Sequence, residues 1–231
     1  MTLSGAVGWL MYLSVAVLTV GTACQVARYL RAPVPLKIPI TPAPATGWGV
    51  AGRIAREVLL FESLFKASRS TWLFGWLFHA GLLWLALGHL AFFLPGSLPL
   101  LERVASTMGI AGWLTAAGLT GLAFRRVLVD RIRYVSAPSD YLMLGLLLAI
   151  VCTGMLVAVM PGADRVVFKA YVQGLYAGYT GGLPDAPFLW LHIVAACVLG
   201  LVFPFSKLLH APGVFLSPTR LQADNSREQR R

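Results

Sequence analysis

Residues 72–94 read WLFGWLFHAGLLWLALGHLAFFL, and nothing in that run carries a charge. Its length matches the roughly 20 apolar residues that cross a bilayer as a helix. It also holds two histidines, His79 and His89. An ionisable side chain at membrane depth is costly and marks a functional site by default. Four more stretches have the length and apolarity of spans: Leu3 to Val26, Val104 to Phe124, Ser139 to Met160 and Phe188 to Leu209. The last ends beside His210 and contains His192, so all four histidines of the chain lie within or at the end of two spans.

The expected fold is therefore an all-α integral membrane bundle of five transmembrane helices. With 58% hydrophobic and 12% charged residues, the composition is far from that of a soluble domain. A net charge of +10 invites a nucleic-acid reading, but the basic residues sort by side of the membrane. Sixteen of the 19 fall after spans one, three and five, from Arg28 to Arg69, from Arg125 to Arg133, and from Lys207 to Arg231. The alternate loops carry only Arg103, Arg165 and Lys169. The positive-inside rule then puts the N-terminus outside and the C-terminus in the cytoplasm, in a multi-pass protein of the cytoplasmic (inner) membrane. Orientation explains the charge, and no nucleic-acid partner is expected.

The first apolar segment lacks a basic leader and runs directly into Arg28 and Arg31, so it reads as an uncleaved span. Cys24, Cys152 and Cys197 fall inside spans without C-x-x-C spacing, which excludes covalent c-type haem attachment through C-x-x-C-H.

Residues 28–71 form the longest connection. Its first half, with proline recurring from Pro33 to Pro44, reads as an extended strap. Its second half, Val50 to Ser70, interleaves apolar and charged residues as an interfacial helix does. Such a length also suits docking of a cytoplasmic partner. The stretch from Pro161 to Pro187, with Tyr171, Tyr176 and Tyr179, reads as an outward loop with tyrosine anchors. Residues 1–217 make up the membrane domain and 218–231 a polar, disordered cytoplasmic tail. There is no internal repeat, phosphate loop or nucleophile triad.

Imidazole is the commonest protein ligand for metals, and two histidine pairs on two helices point to two bis-histidine haems b. Antiparallel packing pairs His79 with His210 on the cytoplasmic side and His89 with His192 on the outer side. Eighteen residues separate His192 from His210, five turns on one face and roughly 27 Å along a helix. Ten separate His79 from His89, about 80° apart and roughly 15 Å along the axis. A bend at Pro204 is expected to absorb the difference. Gly75, Ala80, Gly81, Ala86, Gly88, Ala195, Ala196 and Gly200 either make room for a flat macrocycle or serve helix packing. Lys207, Arg125, Arg126 and Arg69 are candidate partners for haem propionates or plain positive-inside charges. A histidine-relay transporter or proton channel is the rival from another class.

Residues 78–89, FHAGLLWLALGH, and Leu191-His192 through FPFSKLLH at 203–210 resemble the gamma subunit of respiratory nitrate reductase over most of the chain. In that family the matching histidines, here His79, His89, His192 and His210, ligate two haems b, and quinol is oxidised near the outer one. The resemblance implies a quinone site at Gly88, His89 and Arg103, the last replacing a lysine common in the family. The strap KIPITPAP at 37–44 and REVLLFESLFK at 56–66 resemble the DsrM cytochrome b subunits of DsrMKJOP complexes, which in turn resemble heterodisulfide-reductase membrane subunits. That likeness implies electron transfer between the quinone pool (menaquinone or ubiquinone) and a DsrK-like cytoplasmic iron–sulfur subunit in dissimilatory sulfur metabolism. Further membrane and extracytoplasmic subunits of the complex are implied too. A nitrate reductase gamma subunit is the alternative within the class.

Overall fold

The computed structural model describes residues 2–33, 42–96 and 98–224. Most of the expected strap and the end of the expected tail lie outside these. Regular structure among the described residues is entirely helical: α1 (Leu3–Arg31), α2 (Gly47–Leu60), α3 (Glu62–Ala67), α4 (Arg69–Phe93), α5 (Pro99–Ser106), α6 (Met108–Leu128), α7 (Asp130–Tyr134), α8 (Pro138–Val159), α9 (Arg165–Tyr176), α10 (Pro187–Val202) and α11 (His210–Gly213). Short 3-10 turns follow α10 and α11. Four helices are individually long and apolar enough to cross a membrane, those beginning at Leu3, Arg69, Pro138 and Pro187. The remaining expected span, Val104 to Phe124, is a bent pair, α5 and α6, meeting at 53°.

The bend falls at Thr107, whose φ of −103° and ψ of 8° are not helical. Its hydroxyl donates to the Val104 carbonyl (2.8 Å) and accepts from the Trp84 indole (3.1 Å), so the break is tied to α4. Span five also departs from expectation. Its helix ends at Val202, short of the expected Leu209, because Pro204 has no N–H to continue the ladder. Ser206 is extended (φ −108°, ψ 169°) and its hydroxyl starts a new turn by accepting from the Leu208 amide. His192 and His210 therefore do not share one helical face.

The chain forms two compact units. The first holds residues 1–15 and 70–201. In it α4 and α6 approach backbone to backbone. A β-carbon on Gly118 would lie 2.5 Å from the Phe78 nitrogen and 2.7 Å from the Phe74 carbonyl oxygen, and one on Gly81 would lie 2.9 Å from the Ala111 oxygen. Close approach through small residues is how helices associate in lipid, where burial of apolar surface no longer drives them together. Gly88 (against Met108) and Gly200 (against the Ser14 hydroxyl) serve the same purpose, so these glycines pack helices. Phe78, Leu119, Leu147 and Val151 form the core between α4, α6 and α8. At one end Arg126 bonds Asp140 (3.2 Å) and the Ser136 hydroxyl (2.7 Å).

The stretch expected to be an outward loop contains α9. Asp164 caps it, accepting from the amides of Val166 (2.7 Å) and Val167 (3.2 Å). One face buries Tyr171, Val172 and Leu175 against Val7, Leu189 and Ile193. Another carries Lys169, Gln173 and Tyr176, spaced four and three residues apart, which donate to the carbonyls of Gly96 (2.8 Å), Leu94 (3.4 Å) and Phe93 (2.7 Å). The last carbonyls of a helix have no partner within it, and α9 supplies three donors to the end of α4 and the turn beyond. Lys169 also pairs with Glu102 (3.1 Å). We expect Tyr176→Phe to lower stability by about 1 kcal/mol, the worth of one such bond. Thermal unfolding in detergent measures it.

The second unit holds residues 16–69 and 202–231. Its one interfacial helix expected over Val50 to Ser70 is two, α2 and α3, because Phe61 adopts the left-handed conformation (φ 51°) between them. Glu57 accepts from the Ser63 amide (3.2 Å) and hydroxyl, satisfying the start of α3. Lys66 (2.6 Å) and Arg56 (2.8 Å) bond Glu62 and hold its carboxyl below the ordinary range. The segment after Ser217 is fastened to α2: Arg53 donates to the carbonyls of Arg220 and Gln222, and Arg220 pairs with Glu57 (3.7 Å). The Asp224 amide donates to Pro44 (2.9 Å).

Candidate functional site

His89 on α4 and His192 on α10 come together inside the first unit. Their rings lie within 19° of parallel, with centres 6.1 Å apart. Each Nδ1 faces a backbone carbonyl, which can only accept, so Nδ1 carries the proton and Nε2 keeps its lone pair. His89 donates to Leu85, one turn earlier on its own helix (2.7 Å). His192 donates instead across to α8, to the Ile150 carbonyl (2.9 Å), with the Thr153 hydroxyl at 3.3 Å. Thr153 is buried and bonds the Ala149 carbonyl (2.7 Å), so the partner of His192 is itself fixed. This is the tautomer that ligates metal through Nε2, with the hydrogen bond at Nδ1 setting ring orientation.

Both histidines line a cavity of about 310 Å³ between α4, α6, α8, α9 and α10. Its walls are almost wholly apolar, and Phe168 of α9, in edge contact with Phe92 (5.4 Å), forms part of its lining. Gly154 of α8 lies against the His192 ring, where a β-carbon would stand 3.0 Å from Cε1. Sequence reasoning singled out neither Gly154, Thr153 nor Ile150. A lone glycine in an apolar run has no signature, and a carbonyl partner on a different helix has none either.

The other proposed residues are placed as follows. His79 belongs to the first unit, and its Nδ1 donates to Gly75 (2.7 Å). His210 belongs to the second, and its Nδ1 donates to Lys207 (3.0 Å). Gly88 is buried, and the room beside it is filled by Met108 and by Ala105, whose Cα would lie 3.4 Å from an added β-carbon. Arg103 stands on α5, two residues before Ala105, and does not line the cavity.

The donor set fits a metal held in a macrocycle. A metal–imidazole bond is about 2 Å long, so ring centres 6.1 Å apart accommodate one ion shared by two imidazoles. Among the described residues no group of three or more His, Cys, Asp or Glu could hold an ion by itself. Two imidazoles suffice when a planar ring supplies the remaining ligands, as in haem proteins.

Apolar helices of spanning length, with two half-buried imidazoles facing each other among them, define a multi-pass helical membrane protein. The chain belongs to the nitrate reductase gamma subunit family, whose model matches residues 63–223. It is 32% identical to an Hdr-like menaquinol oxidoreductase cytochrome b-like subunit of Archaeoglobus fulgidus, over 95% of this chain and 80% of the relative. The corresponding protein of Archaeoglobus profundus is 29% identical over 96% of this chain and 80% of its own length. The nitrate reductase gamma chain of Bacillus subtilis is 32% identical over 69% of this chain and 77% of its own.

Proposed function

We propose that the chain is the dihaem cytochrome b subunit of a quinone-linked oxidoreductase complex. It would pass electrons between the quinone pool and a cytoplasmic, DsrK-like iron–sulfur subunit in dissimilatory sulfur metabolism. The observation that carries this reading is the His89–His192 pair, near-parallel and oriented by carbonyls at the wall of an apolar cavity. A haem b bound there supplies one-electron exchange through its iron. His89 and His192 hold it, Ile150 and Thr153 orient His192, and Phe92 and Phe168 help enclose the site. A second haem completes this reading, with the N-terminus outside and the C-terminus in the cytoplasm. Relatives named as menaquinol oxidoreductase subunits match 95% and 96% of the chain, against 69% for the Bacillus nitrate reductase chain, which favours the former.

Quinone binds near Gly88, His89 and Arg103 in this reading. The packing of Gly88 on Ala105 supports it by bringing the helix of Arg103 to the His89 turn. The α2–α3 segment and the strap before it are the docking surface for the iron–sulfur partner. Pyridine haemochrome analysis of the purified protein should return two haems b per chain. No haem removes the reading and leaves the proton-relay alternative. A molybdenum enzyme co-purifying in place of sulfur-pathway subunits would move it to nitrate reduction.

A further inference from the structure

Besides the two imidazoles and Thr115, the polar residues lining the cavity at His89 and His192 lie at one place. Among the described residues lining it, Arg165 is the one permanent cation and Asp164 the one carboxylate. These two do not neutralise each other. Asp164 is committed to capping α9 through Val166 and Val167, and no ion pair joins it to Arg165. The exposed Arg165 side chain makes no hydrogen bond or ion pair with any described residue. The next cation along the helix, Lys169, is already held by Glu102 and Gly96. Arg165 and Phe168 are three residues apart on α9 and share a face, and Phe168 lines the same cavity in contact with Phe92. The helix therefore presents an uncommitted guanidinium beside the space that the two imidazoles define.

Guanidinium groups select carboxylates and phosphates through paired N–H donors. A haem b carries two carboxylates on one edge and is otherwise apolar, matching an apolar-walled cavity with one cation on its rim. We propose that Arg165 binds a carboxylate of the haem held between His89 and His192, an assignment that rests on the functional reading above. A cation paired with that carboxylate would also favour the reduced, more negative state of the centre.

The test is a redox titration of the purified protein and of Arg165→Gln and Arg165→Lys, following the haem that His192→Ala removes. With Gln, the reduced-to-oxidised ratio of that haem at fixed ambient potential should fall about tenfold, equivalent to about 1.4 kcal/mol. Lys should restore most of it, and the other haem should titrate as in the parent. Loss of the haem with Gln but not with Lys has the same meaning. Identical titrations in parent and Gln variant, or equal haem loss with Gln and Lys, overturn the assignment. A parent protein without haem overturns the functional reading instead.

Discussion

His192→Ala should leave the protein with one haem in place of two, and His89→Ala should remove the same one. Each substitution would remove one of the two imidazoles proposed to hold that haem, and nothing nearby could replace it, since the surrounding walls are chiefly leucine, phenylalanine, methionine and glycine. The cavity left by the lost ring costs stability in addition, of order 1–3 kcal/mol, which a helical bundle of this size survives. Haem content by pyridine haemochrome, with redox titration of the remaining centre, reads the result. His79→Ala and His210→Ala should leave this haem in place. If His79→Ala and His192→Ala removed the same haem while His210→Ala removed the other, the pairing would be wrong. Thr153→Val is the informative companion, since it keeps both ligands and alters only the hydroxyl 3.3 Å from Nδ1 of His192. It should retain the haem and shift its potential.

The second large effect belongs to Gly118. The substitution Gly118→Val would drive a β-carbon to 2.5 Å from the Phe78 nitrogen and 2.7 Å from the Phe74 oxygen. Those are backbone atoms of α4 and cannot swing aside as a side-chain end can, so α4 and α6 must separate. Overpacking typically costs about 1–3 kcal/mol, and a clash with backbone belongs at the top of that range or above it. The expected outcome is a protein that unfolds at markedly lower temperature in detergent and binds less haem, because Phe78 adjoins His79. Gly145→Ala is the control: an added β-carbon there meets nothing within 4 Å. Equal stability of the Gly118→Val variant and the parent would show that the two helices do not meet as described.

Hydropathy alone located the spans, because a bilayer crossing demands a long uncharged run and such runs are rare elsewhere. It failed at their ends and breaks. The bend at Thr107 depends on an indole from another helix, and the stop at Val202 on whether Pro204 kinks a helix or ends it, which local sequence does not decide. The helix α9 was missed because its tyrosines and the glycines after it read as an anchored loop. The signal was present in Asp164 followed by apolar residues at helical spacing, Phe168, Val172 and Leu175. Of the site, the imidazoles were legible from residue type. The meeting of His89 with His192 agrees with the antiparallel pairing, whereas the five-turn register between His192 and His210 does not survive the break.

His89 and His192 differ in where their orienting partners come from. His89 brings its own, one turn back on the same helix, whereas the ring of His192 is set by a carbonyl on α8 and braced against Gly154. The order in which the chain emerges therefore sets an order of maturation. As α4 forms its imidazole is already aimed, whereas that of His192 takes its orientation only when α10, made after α8, settles against it. The pair of imidazoles is complete only late in synthesis, so a truncated or misinserted chain carries half of it.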